Sequence, residues 1–142
     1  MRKLVVLFVA GGALVLAAVS LAGVRTAGWS AKLDATQEIP KQAVKVPAAK
    51  GAFTSTVSGN KLHWKLTFTK LSGPATAAHI HLGAMGKAGN VLVPLCGPCK
   101  SGASGTATLT AALKKDFTKH LLYVNVHTAK NPAGEIRGQL GG

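Results

Sequence analysis

Acidic residues are nearly missing from this chain: Asp34, Glu38, Asp116 and Glu135 stand against 17 lysines and arginines, for a formal net charge of +13. So few carboxylates leave no candidates for paired acid–base hydrolysis of the glycosidase kind. There is no Gly-rich phosphate loop and no Ser-His-Asp arrangement. Aromatics make up only 5% of the residues, so no stacking platform accompanies the basic charge. The lysines are scattered singly among apolar residues, without an arginine-rich run, which excludes a nucleic-acid binder. What remains for the charge is a general attraction to anionic lipid headgroups or acidic polysaccharide.

Long apolar runs are also scarce, with one exception at the start. Met1-Arg2-Lys3 is followed by an uncharged stretch from Leu4 to Val24 built of Leu, Val, Ala and Gly. A cationic start before an apolar segment is the export signature. Small residues allow cleavage after Ala22, before Gly23, or after Ala27, before Gly28. The run exceeds the usual signal core, so a retained membrane anchor over residues 4–24 is the alternative. The expected organisation is a signal peptide or anchor helix over 1–27 and one domain over 28–142. Its location would be extracytoplasmic: secreted, periplasmic, or anchored facing outward. The expected partner is an unidentified protein or envelope component.

Beyond Gly28 the hydrophobic period is two. Leu62, Trp64, Leu66 and Phe68 alternate with Lys61, His63, Lys65, Thr67 and Thr69, the pattern of a half-buried strand. Ser58-Gly59-Asn60 turns this strand back on Gly51–Val57, using residues that tolerate positive φ. Further strands are predicted over Trp29–Leu33, Ala77–Leu82, Val91–Leu95, Gly105–Leu113, Leu121–His127 and Glu135–Leu140. Only Ala111–His120 suits a short helix. Seven to eight short strands imply an all-β antiparallel sandwich or Greek-key barrel.

Three histidines carry the chemical interest. On a strand, His79 and His81 share one face while Ile80 takes the other. Tyr123, Asn125 and His127 likewise share a face, opposite Val124 and Val126. Were the two strands neighbours, three imidazoles would converge, a donor set suited to copper or zinc. The competing reading has half-exposed histidines hydrogen-bonded to their neighbours. His63 and His120 read as surface residues. Asn131-Pro132-Ala133-Gly134 fits a type I turn, and Glu135 and Arg137 then lie on one strand face. There they would pair with each other, or with His127 and Tyr123, as a fold-fixing network.

Cys96-Gly97-Pro98-Cys99 has redox-motif spacing but runs into a Ser/Gly loop rather than opening a helix, so it lacks the helix N-terminus that lowers a redox thiol's pKa. Export favours a disulfide between Cys96 and Cys99. Copper(I) capture by the two sulfurs, assisting the histidines, and dithiol exchange are the alternatives.

The stretches Gln37-Glu38-Ile39-Pro40, Ala78-His79-Ile80-His81 with Gly83, Leu122-Tyr123-Val124-Asn125-Val126-His127-Thr128 and Asn131-Pro132-Ala133-Gly134-Glu135-Ile136-Arg137-Gly138-Gln139-Leu140 together resemble the CHRD domain, named from chordin. The resemblance covers Trp29 to Leu140. It implies an extracellular β-rich interaction or structural module without established catalysis. The order of His79, His81, His127 and, more loosely, Arg137 is also similar in layout to copper–zinc superoxide dismutase, where such histidines hold copper. The loop histidines and aspartate that build that family's zinc site have no counterpart, so superoxide chemistry is not implied. The combined expectation is an exported, non-catalytic module with a mononuclear copper or zinc site. A purely structural or adhesive domain without metal is the alternative, and a superoxide- or thiol-redox enzyme a remoter one.

Overall fold

The computed structural model describes residues 28–142, so the expected signal or anchor helix lies outside the described residues. Eight strands follow in order: β1 (Ser30–Asp34), β2 (Lys50–Ser58), β3 (Lys61–Thr69), β4 (Ala75–Leu82), β5 (Val91–Cys96), β6 (Ala103–Thr108), β7 (Leu122–Thr128) and β8 (Ile136–Gln139). A 3-10 turn, Ala35–Gln37, follows β1, and one helix, α1 (Ala111–Thr118), separates β6 from β7. Among the described residues no helix is long and apolar enough to cross a membrane.

All strands belong to a single antiparallel sheet in the order β5-β4-β7-β8-β1-β2-β3-β6. The end strands β5 and β6 come close to each other without joining in a ladder, so the sheet is nearly a closed barrel rather than a two-sheet sandwich. The pairings β8–β1, β4–β7 and β3–β6 join strands distant in sequence. Histidines almost fifty residues apart therefore stand on neighbouring strands.

The alternating pattern works as read. Leu62, Trp64 and Leu66 are buried while Lys61, His63 and Lys65 are exposed, and Gly59 takes φ +58° in the β2–β3 turn. The interior is filled by Leu33, Phe53, Leu62, Leu66, Ile80, Val124, Val126 and Ile136, all buried. One predicted strand is shortened. The expected Gly105–Leu113 ends at Thr108 because the Thr110 hydroxyl accepts from the Leu113 N–H and caps α1, as N-cap threonines do. The helix then closes one end of the barrel with Leu113 and Phe117, spaced four apart on its buried face. Phe117 stacks on Trp29, ring centroids 4.0 Å apart. Burying such a ring contributes about 2–3 kcal/mol.

Strand β7 is the exception to alternation, since all seven of its residues are buried. Val124 and Val126 face the apolar interior. Tyr123, Asn125 and His127 face outward, where segments 38–46 and 83–90 cover them. Glu38 meets Asn125, Val44 meets Asn131, and Gly89 meets Tyr123. The barrel wall here has a second, polar core outside the apolar one.

Candidate functional site

The β4–β7 ladder sets the site. His79 is registered opposite Asn125 and His81 opposite Tyr123, so the outward side chains of the two strands interleave. His79, His81 and His127 each offer one ring nitrogen within 4.8 Å of the others. Three points so spaced lie within about 2.8 Å of a common centre, against a metal–nitrogen bond near 2 Å. His79 Nδ1 and His127 Nε2 are 3.1 Å apart, close to the roughly 3.3 Å that separates two nitrogens on one tetrahedral ion.

Two of the rings are fixed from behind. His81 donates Nδ1–H to the Gly89 carbonyl at 3.0 Å, and His127 donates Nδ1–H to the Pro132 carbonyl at 2.9 Å. A carbonyl only accepts, so in both neutral rings the lone pair must sit on Nε2. His81 Nε2 is buried and has no hydrogen-bond partner in the protein. His127 Nε2 then accepts from His79 Nδ1–H. Backbone carbonyls that orient an imidazole in this way are the usual outer support of a metal-ligating histidine.

Electrostatics keep the rings neutral. Burial lowers the pKa of His79, and His81 beside it adds to the effect. Burial also lowers His81, helped by Arg137 and opposed by the bond to Gly89. His127 is lowered by burial and by the two other histidines, against the bond to Pro132. A neutral imidazole is the form that binds a metal. The expectation of half-exposed histidines is therefore corrected for two of the three: His81 is 8% and His127 9% exposed, and only His79 is half-buried. His63 and His120 are exposed, as expected.

Around the histidines runs a buried polar belt. Tyr123 stacks on His81, centroids 4.9 Å apart at 12°, and the Arg137 guanidinium carbon lies 3.5 Å from the Tyr123 ring centroid. Since β4 and β8 flank β7, the tyrosine is layered between the imidazole and the guanidinium. Arg137 also donates to the Ala84 carbonyl and to Gln139 Oε1. Of the expected pairings, Arg137 meets Tyr123, while Glu135 and Arg137 do not pair with each other. Glu135 lies just ahead of β8 and accepts from the Ser72 N–H and hydroxyl, the Thr128 hydroxyl and Asn131 Nδ2. Burial raises its pKa, but these bonds outweigh that and hold the carboxyl below its ordinary range. The type I turn is formed, with Gly134 N–H bonded to the Asn131 carbonyl at 3.1 Å.

Glu38 is a member of the belt to which the sequence pattern assigns no contact. It is fully buried and accepts from Asn125 Nδ2 at 3.0 Å. Burial pushes its carboxyl up to about 7, against the pull of Asn125 and Arg137. The scarcity of acids is the available signal, since Glu38 is one of only four carboxylates in the chain. Buried side-chain atoms without protein partners gather in this belt too: Glu38 Oε1, Asn125 Oδ1, Arg137 Nη1 and His81 Nε2.

Cys96 and Cys99 are joined as a disulfide, and neither belongs to the histidine cluster. Their sulfurs are bonded to each other, so the thiolate-assisted copper site does not form in this state.

Comparison with known proteins gives one match. The family model described as the CHRD domain covers residues 29–140, the span the sequence motifs marked out. No curated protein and no solved structure matches the chain, so the dismutase-like layout gains no support from a relative.

Proposed function

The chain belongs to the CHRD-domain family, and from that premise we propose an exported, non-catalytic module that binds one copper or zinc ion through His79, His81 and His127. The observation that carries the metal reading is the pair of carbonyl-fixed tautomers, which put the lone pairs of His81 and His127 on Nε2 within a cluster whose ring nitrogens lie within 4.8 Å of one another, His81 Nε2 being buried without a protein partner. Three neutral imidazoles suit Zn(II) in a tetrahedral site with one open position. The same donors bind Cu(II) more tightly in the affinity order of divalent metals. Export supports the reading from two sides: the basic-then-apolar start of the sequence, and the Cys96–Cys99 disulfide, a bond of oxidising compartments.

Titration of chelator-treated protein with Cu(II) and with Zn(II), followed by calorimetry, tests this. One equivalent should bind, and His79→Ala or His127→Ala should weaken it at least 100-fold. No stoichiometric binding, or binding indifferent to both substitutions, refutes the metal clause. A second reading, a structural or adhesive module without metal, draws on the His79–His127 hydrogen bond, which satisfies those rings without an ion. It predicts that the alanine variants melt lower by the same amount with and without metal.

A further inference from the structure

One end of the barrel gathers features the histidine site does not use. Strand directions define it. Ser30 bridges Gly141, the Leu140 N–H bonds the Leu122 carbonyl, and Leu122 is registered with Leu82. The start of β1, the ends of β8 and β4, and the start of β7 therefore lie at one level, together with segment 83–90 and α1. Four of the five large apolar residues exposed among those described stand at this end: Met85 at 78%, Val91 at 48%, Leu92 at 41% and Leu82 at 38%. They lie on segment 83–90 and the two strand ends that flank it. Lys87 is exposed on the same segment, and α1 beside it exposes Lys114 and Lys115, with Lys119 exposed at its C-cap and Asp116 the helix's only acid.

The chain also enters here. Only four residues separate Trp29 from the uncharged run Leu4–Val24. At 3.3–3.6 Å per extended residue, the five links from Val24 to Trp29 span at most about 18 Å. Wherever that run is held in a bilayer, this end of the barrel is tied close to the headgroups, and the opposite end is not.

We propose that the barrel end formed by segment 83–90, the start of β5 and helix α1 is a membrane-docking face, seating Met85, Leu92 and their neighbours among the headgroups of an anionic bilayer. Apolar side chains ringed by lysines are the composition an anionic interface attracts, combining apolar burial with cation–headgroup attraction. The single protruding methionine suits shallow insertion. Segment 83–90 also carries Gly89, whose carbonyl orients His81, but the exposed side chains of Met85 and Lys87, on which the docking rests, belong to neither the three histidines nor their hydrogen-bond partners.

Hydrogen-exchange mass spectrometry of the full chain tests the docking. The protein would be reconstituted into phosphatidylcholine vesicles with and without phosphatidylglycerol, and compared with the chain in detergent solution. Segment 82–92 should become protected in the anionic vesicles, while 41–46, which carries exposed Val44 at the other end, stays unchanged. Met85→Asp and Lys87→Glu, both at exposed positions, should each reduce that protection. Equal exchange of 82–92 in vesicles and detergent, or equal protection of both ends, overturns the proposal. So does a chain that fails to float with anionic vesicles. Equal protection with and without phosphatidylglycerol overturns the anionic specificity. Protection in detergent with a doubled mass assigns the face to a second copy instead.

Discussion

His81 donates a hydrogen bond from Nδ1–H to the carbonyl of Gly89, 3.0 Å away, while the N–H of the same glycine is bonded to the Tyr123 hydroxyl at 3.2 Å. One peptide segment thus sets the tautomer of a candidate ligand and is itself clamped by the ring stacked on that ligand. A Cβ at Gly89 would stand 1.6 Å from the Leu82 carbonyl oxygen, so the backbone must move. Gly89→Ala is expected to weaken metal binding about 10–100-fold, the usual cost of losing an outer-shell partner. Gly73→Ala, where added bulk meets nothing within 4 Å, should leave affinity unchanged. Calorimetric titration of the two variants checks the pair.

Glu38 should make the metal-free protein less stable as pH rises. Its carboxyl titrates near 7 in the fold against an ordinary 4.5. Below pH 4.5 it is protonated folded or unfolded, and the fold is not penalised. Between 4.5 and 7 the unfolded chain releases a proton that the folded one keeps, so stability falls, by roughly 3 kcal/mol in all. The three histidines act oppositely. Their lowered pKa values mean that stability is lost as pH drops below 6.5. Glu38→Gln mimics the protonated acid, so the variant should match the parent near pH 5 and exceed it at pH 8. Urea unfolding with chelator present measures both. A variant weaker than the parent at pH 8 would mean that attraction to Arg137 dominates.

Much of this molecule is legible before any coordinates. The period-two stretches place seven of the strands within about two residues, because one-sided burial leaves a clean alternation such as that at Lys61–Leu66. The histidine trio was readable for the same reason: strand parity puts His79 with His81, and Tyr123 and Asn125 with His127. What parity cannot supply is which strands are neighbours, and the β4–β7 pairing is a property of topology. Nor does it reveal that β7 is covered on both faces, since Tyr123, Asn125 and His127 look like wet-face residues until segments 38–46 and 83–90 fold over them. For that reason the contact of Glu38 with Asn125 is not readable in the sequence, and Glu135, expected to pair with Arg137 or with His127 and Tyr123, meets Ser72, Thr128 and Asn131 instead, while Arg137 does meet Tyr123. Long-range polar contacts leave no periodic trace.

Glu135 ties three segments through one carboxylate: the turn at Ser72, the end of β7 at Thr128 and the type I turn at Asn131. Hydrogen bonds to a buried charge are worth more than neutral ones, and leaving their donors unmatched costs further. Glu135→Gln should destabilise the fold by about 2–4 kcal/mol, read as a lower midpoint in thermal unfolding. Because the folded carboxyl titrates below its ordinary 4.5, its contribution is complete above that pH and lost as pH falls through the lower folded value. The gap between parent and variant should therefore narrow under acid. A gap that is constant with pH would mean that the loss comes from shape rather than charge.

The Cys96–Cys99 disulfide should support the barrel without supporting the metal. Cys96 is registered with Ala78, next to His79 on β4, and Cys99 bridges Ala75, so the staple holds the edge of the sheet against the site-bearing strand. Closing so short a loop restricts the unfolded chain by about 2 kcal/mol in the chain-entropy account. The double variant Cys96→Ser with Cys99→Ser should lose about that much in denaturant unfolding. Its affinity for Cu(II) or Zn(II) should stay unchanged, because His79 and His81 are held from the other side by the β4–β7 ladder. A tenfold loss of affinity, about 1.4 kcal/mol, would show that β5 helps to set the imidazoles. Greater affinity for Cu(I) after reduction of the parent, absent from the serine variant, would restore the sulfurs as ligands.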